Sequence, residues 1–316
     1  MPKKLRAPFR RRETTFQTNF GTIRLRRIPD VIRPAAERVR AEGGERSAVL
    51  SALHEDERRD RNLMAQSFRL LKRSFPRYAR GPLTFFKRDF AQNTLPAGSP
   101  EKRTNYHFIA AATKRGNVAG FVATSIAAKA KTPVALVDYI AVHPSYQRGG
   151  LAKALLEANR QISRNEGVHY GVGEVEPYTE KDHAAFLQLR TKKRLTEEEK
   201  TQMKELGEKR GRFIVYRDFW KLVKGFDYLQ PPLLGGKPVP MALFIYSPKG
   251  ELPERMPGRE LYGIVKSVYR YNYGLQPNQA RELMEAVKER NKGKYSFELA
   301  NAGAAVGAAS SRGARR

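Results

Sequence analysis

The hexapeptide Gln147-Arg148-Gly149-Gly150-Leu151-Ala152 is where residue type and spacing point most directly to chemistry. Paired glycines let the backbone turn sharply. The first turn of a helix that follows leaves several N–H groups without intrahelical partners, at the positive end of its dipole. Together these features predict an anion cradle. The neighbouring elements are read from periodicity. Val134 to Val142 is apolar and rich in β-branched and aromatic residues, which predicts a buried strand, ended by His143-Pro144. After Gly150, residues Leu151, Ala154, Leu155, Ala158 and Ile162 recur at helical spacing, so one helix face turns inward until Gly167 stops it.

The order strand, Val142-x-Pro144, aromatic, Gln-Arg-Gly-Gly-Leu-Ala, amphipathic helix resembles the acyl-CoA-binding segment of the GNAT N-acetyltransferase superfamily. The loop pattern of that family, Q/R-x-x-G-x-G/A, is matched by Gln147, Gly150 and Ala152. The resemblance implies a mixed α/β fold with a mainly antiparallel sheet and flanking helices. It also implies acetyl-CoA as cosubstrate, its pyrophosphate held by the amides of Gln147, Arg148, Gly149, Gly150, Leu151 and Ala152. A backbone N–H near Ile140, Ala141 or Val142 would polarise the thioester carbonyl. The implied reaction moves an acetyl group to a primary amine by direct attack in a ternary complex. Whether the acceptor is a protein lysine, an N-terminus or a small amine stays open.

Such a transfer needs a neutral amine, a donor for the developing oxyanion, and a proton or other stabilisation for the leaving thiolate. Asp138 is the only acid within the central strand, sharing a face by alternation with Leu136, Ile140 and Val142. Desolvation there would raise its pKa toward that of a useful base, whereas pairing with a cation would make it structural. Glu174 and Glu176 are the alternatives on the next strand, two apart and so on one side; Glu176 is the candidate carried forward with Asp138. Tyr216 matches the tyrosine of the family's fourth-helix pattern, often a general acid, and is equally readable as a core residue. Trp220 stands where that pattern has glycine, a departure from the family.

Other chemistries lose their required parts. The five histidines show no metal-ligand spacing, so no metal is expected, and no nucleophile elbow or phosphate-loop Gly-Lys-Ser/Thr occurs. Gly171-Val172-Gly173 lacks the third glycine of a dinucleotide fingerprint. The absence of cysteine removes disulfides and thiolate chemistry and fits a reducing, cytoplasmic setting. No apolar run approaches the roughly 18 residues of a membrane span, and no secretory signal opens the chain.

The 316 residues carry a net charge of +28, with no acidic block to offset it. That balance predicts attraction to polyanions and keeps a second class open, a nucleic-acid- or ribosome-associated binding protein with little catalysis. Along the chain we expect a flexible basic arm over 1–46, a domain over 47–250, a helical extension over 251–300 and a disordered tail over 301–316. Within the first, Gly21 to Ile28 alternates loosely as a short strand would. The domain should hold a helical stretch from Ser47, a hairpin over residues 105–126, then strand, cradle, helix and a further strand from Val168. A charged insertion at 178–212 contains the capping box Thr196/Glu199, and helical character is expected to continue over Arg212 to Leu222. A closing hairpin is expected near Gly235-Gly236, and a helix starting at Pro277. Oligomeric state is not legible.

Overall fold

The computed structural model describes residues 13–18, 21–28, 46–75, 103–216, 218–233 and 236–301. It divides into two compact units, Met1–Ala130 with Ala135–Val168, and Lys131–Val134 with His169–Arg316. The class is mixed α/β with antiparallel pairing dominant, as expected.

In the first unit the strands are β1 (Glu13–Thr18), β2 (Gly21–Ile28), β3 (Asn105–Thr113), β4 (Val118–Ala127) and β5 (Val134–Val142), in that spatial order. Its helices are α1 (Arg46–Ser74) and α2 (Leu151–Asn165). The hairpin of β3 and β4 turns at Gly116, whose φ of 79° is open to glycine at little cost. Every residue of β4 is buried, because α1 and α2 both pack against it. Leu63, Leu70 and Leu71 of α1 meet Tyr106, Phe108, Phe121 and Ala123, with Phe108 and Phe121 stacked at 5.2 Å. Gly120 serves the α2 contact. A Cβ there would lie 2.8 Å from the Ala141 carbonyl oxygen and 3.3 Å from Leu155 Cδ1, so only glycine lets β5 and α2 approach this closely.

The arm expected over 1–46 is partly strand. Residues 13–18 and 21–28 pair as antiparallel β1 and β2, and β2 pairs with β3 in the register Arg26↔Ala110. Arg26 is buried in spite of its charge because its Nε donates to Asp60 Oδ1 of α1 at 2.6 Å. Residues 1–12, 19–20 and 29–45 of that arm lie outside the described residues, as do the helical continuation from Pro76 to Phe85 and the tail 302–316.

The second unit holds β6 (Tyr170–Val175), β7 (Lys221–Val223), β8 (Tyr228–Gln230), β9 (Val239–Tyr246), β10 (Arg255–Pro257) and β11 (Ser296–Asn301). Their order is β6-β9-β7-β11-β10, with β8 on the far part of β9, which gives the hairpin expected around Gly236. Its helices are α3 (Glu180–Thr191), α4 (Glu197–Ile214), α5 (Gly258–Ser267) and α6 (Pro277–Arg290). Capping boxes at Thr179/Asp182 and Thr196/Glu199 start the α3–α4 helical hairpin, the charged insertion of the sequence.

Two expectations are corrected here. Helical character does not run through 212–222: α4 ends at Ile214, and Lys221–Val223 pairs with β9. The aromatic residues Phe213, Tyr216 and Trp220 wrap around Phe244 and Tyr246 of β9, so burial of those rings, rather than helical periodicity, sets the backbone path. Likewise the segment 251–300 is not purely helical, since β10 and β11 extend the sheet beyond β7.

Candidate functional site

The cradle is built by a short sequence of local constraints. Past β5, Pro144 opens a single 3-10 turn to Tyr146, and His143 Nδ1 accepts from the Ser145 amide at 3.3 Å. The His143 amide donates to the Ala119 carbonyl of β4 at 2.8 Å, fixing the strand end. Gln147 is extended, and its Nε2 donates back to the Val142 carbonyl at 3.2 Å, which ties the loop to the strand it leaves. Arg148 then adopts φ 65° and Gly150 φ 80°. For arginine that conformation costs about 1–2 kcal/mol, and strain of this kind is found where a loop must present its backbone.

Helix α2 begins at Leu151, with Gly150 as its N-cap and no side chain capping the first turn. The first intrahelical bond is Ala154 N to the Gly150 carbonyl at 3.1 Å, so the Leu151 and Ala152 amides precede the helical ladder. Gln147, Arg148 and Gly150 are exposed. An uncapped helix start, with a guanidinium alongside and no carboxylate among residues 143–156, fits a pyrophosphate. Residues 65–189, which contain this loop, match the profile of the Acetyltransferase (GNAT) family.

That match makes the segment similar to a GNAT-family domain over less than half of the 316 residues.

No curated protein matches the chain. Among solved structures, a GNAT-family protein from Bacteroides thetaiotaomicron is similar at 20% identity, over 69% of this chain and 95% of that one, with a TM-score of 0.41. An acetyltransferase of the GNAT family from Staphylococcus aureus Mu50 is 10% identical over 58% of this chain and 90% of its own, TM-score 0.33. An aminoglycoside 6'-N-acetyltransferase complexed with coenzyme A is 14% identical over 60% and 92%, TM-score 0.30. Among the described residues no three metal-ligating side chains cluster, and no helix is long and apolar enough to cross a membrane.

Within the segment that matches the GNAT profile, Asp138 lies half-buried on β5 and accepts from Ser125 Oγ at 3.1 Å. Ala141 is buried, with Ile140 and Val142 half-buried beside it. These residues share the first unit with the cradle; Glu176 and Tyr216 belong to the second.

Glu176 stands just beyond β6, 52% exposed at its side chain, paired with Arg212 at 2.9 Å and Lys209 at 3.9 Å. A solvated, ion-paired carboxylate of this kind has the environment of a surface bridge rather than of a desolvated base. Tyr216 follows the end of α4 and is not on a helix. Its ring is buried, stacked on Phe244 at 5.2 Å and edge-on to Trp220 at 4.7 Å, so it has the surroundings of a core residue. Burial, with the nearby Glu174 charge, pushes its hydroxyl pKa well up, which leaves it a reluctant proton donor.

Glu174, the other alternative named on this strand, is enclosed in a way that the sequence does not show. Its carboxylate accepts from Tyr228 and Tyr273 hydroxyls and from Gln230 Nε2 at 2.7 Å. Enclosure drives its pKa above the usual carboxylate range, and those three hydrogen bonds only partly offset the desolvation. Its partners stand more than 50 residues away on β8 and after α5, so no local spacing marks the cluster. The glycines of Gly171-Val172-Gly173 have a packing role: a Cβ on Gly171 would fall inside the Tyr246 ring, and one on Gly173 would lie 2.8 Å from Tyr216.

Proposed function

We propose that the protein transfers an acetyl group from acetyl-CoA to a primary amine, by direct attack with both substrates bound. The observation that carries this reading is the uncapped N-terminus of α2 behind the left-handed Arg148 and Gly150, within the segment that matches the GNAT profile. Acetyl-CoA supplies the activated acyl thioester. The amides from Gln147 to Ala152 and the Arg148 side chain hold its pyrophosphate, and the backbone of Ile140, Ala141 and Val142 offers N–H groups to the carbonyl oxygen.

Transfer forms a C–N bond and breaks a C–S bond, with one proton leaving the amine and one reaching the thiolate. Asp138 takes the amine proton in this scheme, kept in place by the Ser125 hydroxyl. Its position on β5, in the same unit as the cradle, supports that role over Glu176, whose carboxylate is occupied by Arg212 and Lys209.

The test is thermal unfolding with and without acetyl-CoA, with ATP as a polyanion control and a repeat at high salt. Acetyl-CoA at a hundredfold its dissociation constant stabilises the protein by about 2.7 kcal/mol. Gly150→Glu places a carboxylate in the cradle and should remove that shift. Equal stabilisation by ATP, or loss of the shift in salt, would mean that only the charge of +28 is being read, and would favour a polyanion-binding protein instead.

A further inference from the structure

Beside the cradle, in the same unit, a cleft of ≈ 330 Å³ opens between α1 and the turn that precedes α2. Arg69 and Arg73 of α1 line one side, Asn117 of the β3–β4 turn closes one end, and His143, Ser145 and Tyr146 form the other wall. None of the lining residues is acidic. The walls are fixed rather than floppy. Gln66 Nε2 donates to the Gly116 carbonyl at 3.3 Å and its Oε1 accepts from the Val118 amide at 2.9 Å, clamping the β3–β4 turn to α1. His143 is held by the Ser145 amide, and Leu70 and Val118 give an apolar, buried floor.

Arg69 and Arg73 stand four residues apart on one helix face, exposed, and neither forms an ion pair with a described residue. Like charges at that spacing disfavour the helix. Arg73, with Lys72, is in the last turn, where a cation complements the helix dipole, but Arg69 lies a turn earlier and gains less from it. Two guanidiniums facing a concave site with hydroxyl and amide groups opposite are suited to bidentate recognition of a phosphate.

We propose that this cleft is a phosphate-binding subsite that takes a phosphate monoester, with Arg69 and Arg73 as its charged contacts and Asn117 and Ser145 as its neutral ones. Its wall runs directly into Gln147, so the phosphate belongs either to the nucleotide end of a CoA thioester or to a second molecule bound next to it.

The experiment is calorimetric titration of the full chain with inorganic phosphate and with adenosine 3′,5′-bisphosphate at constant ionic strength. It compares the wild type with Arg69→Gln/Arg73→Gln and with a charge-matched control, Arg61→Gln/Lys72→Gln, on α1 but outside the cleft. All four side chains are exposed, and melting curves check that each variant is folded. Loss of charge-assisted hydrogen bonds should weaken both probes by about tenfold or more in the cleft variant and hardly at all in the control.

A parallel titration with acetyl-CoA and its 3′-dephospho form identifies the source. If the nucleotide's phosphate sits in the cleft, the cleft variant weakens acetyl-CoA but not the dephospho form. If the phosphate belongs to a second molecule, both forms bind the variant normally and inorganic phosphate still binds the acetyl-CoA-loaded wild type. Phosphate binding without any acetyl-CoA binding would support the subsite while defeating the acyltransferase reading. The proposal is overturned if the wild type binds neither probe, or if the cleft and control variants lose affinity equally.

Discussion

Replacing Gly171 with alanine tests the packing logic of the second unit most directly. The added Cβ would fall 1.7 Å from Tyr246 Cε1, 2.1 Å from Cζ and 2.4 Å from Cδ1, that is, into the ring itself. Tyr246 cannot swing aside freely, because it is fully buried and its ring lies 4.2 Å from Trp220 and 5.6 Å from Phe219. Two effects compete. Alanine reduces the freedom of the unfolded chain, worth about 0.4–1 kcal/mol in favour of folding. Overpacking of a filled core costs about 1–3 kcal/mol and sometimes more, and contact with three ring atoms of a hemmed-in tyrosine belongs at the upper end.

The expected net effect is a destabilisation of about 2 kcal/mol. Gly173→Ala, with its three nearest contacts at 2.8, 3.0 and 3.3 Å, should cost less, about 1 kcal/mol. Urea unfolding followed by fluorescence is suited to the measurement, since the single tryptophan, Trp220, reports from inside this cluster. Combining Gly171→Ala with Tyr246→Leu should cost less than the sum of the two changes, because the clash is then relieved. A Gly171→Ala protein within about 0.5 kcal/mol of the wild type, in a range typical of surface changes, would refute the reasoning.

Asp138→Asn should lower kcat by about 10²–10⁴-fold while acetyl-CoA binding, read by thermal shift, is retained; unchanged turnover would remove Asp138 as the base. His107, buried on β3, has its pKa held down to about 3 by burial and by the Arg27 guanidinium, whose Nη2 lies 2.7 Å from its Nδ1; the carboxylate of Glu166 at 3.4 Å favours the charged form but is outweighed. The unfolded chain therefore takes up a proton below pH 6.5 that the folded one refuses. Stability should fall by on the order of 2 kcal/mol between about pH 6.5 and 4.5, and His107→Gln should flatten that part of the profile. Glu174 has the opposite sign: its contribution is complete below its ordinary pKa of 4.5 and is lost as pH rises through the raised value in the folded protein. Glu174→Gln should therefore gain on the wild type as pH rises above 4.5, in equilibrium unfolding at a series of pH values, and parallel profiles would contradict the assignment.

The cradle was legible because its signals are local. Gly150, the helical spacing from Leu151 to Ile162 and the apolar run of β5 all act within 30 residues, and the structure puts strand, loop and helix where they predict. The β1–β2 pair was only half legible, since Arg24 and Arg26 suggest solvent; what buries Arg26 is Asp60, 34 residues on. The short strands β7 and β11 were missed for a related reason: three to six residues carry little periodicity, and their pairing is with each other and with β9, far away in sequence. Tyr216 was readable either as a general acid or as a core residue, and its position off the helix depended on rings at 244 and 246. The enclosure of Glu174 by Tyr228, Gln230 and Tyr273 is also a product of the tertiary fold.

The interleaving of the two units has a consequence for how this protein can be dissected or recombined. Residues Lys131–Val134 leave the first unit for the second and the chain then returns, so the backbone changes unit after positions 130, 134 and 168. Pro133, in that short loan, accepts hydrogen bonds from the amides of His169 and Tyr170 at 3.0 and 3.3 Å, at the entrance to β6. A fragment beginning at His169 would lack those acceptors, and a fragment ending at Ala130 would lack β5, the cradle and α2. Neither unit corresponds to one uninterrupted stretch of coding sequence, so domain shuffling by a single crossover would break both, and any exchange of one unit for another must transplant at least two segments together.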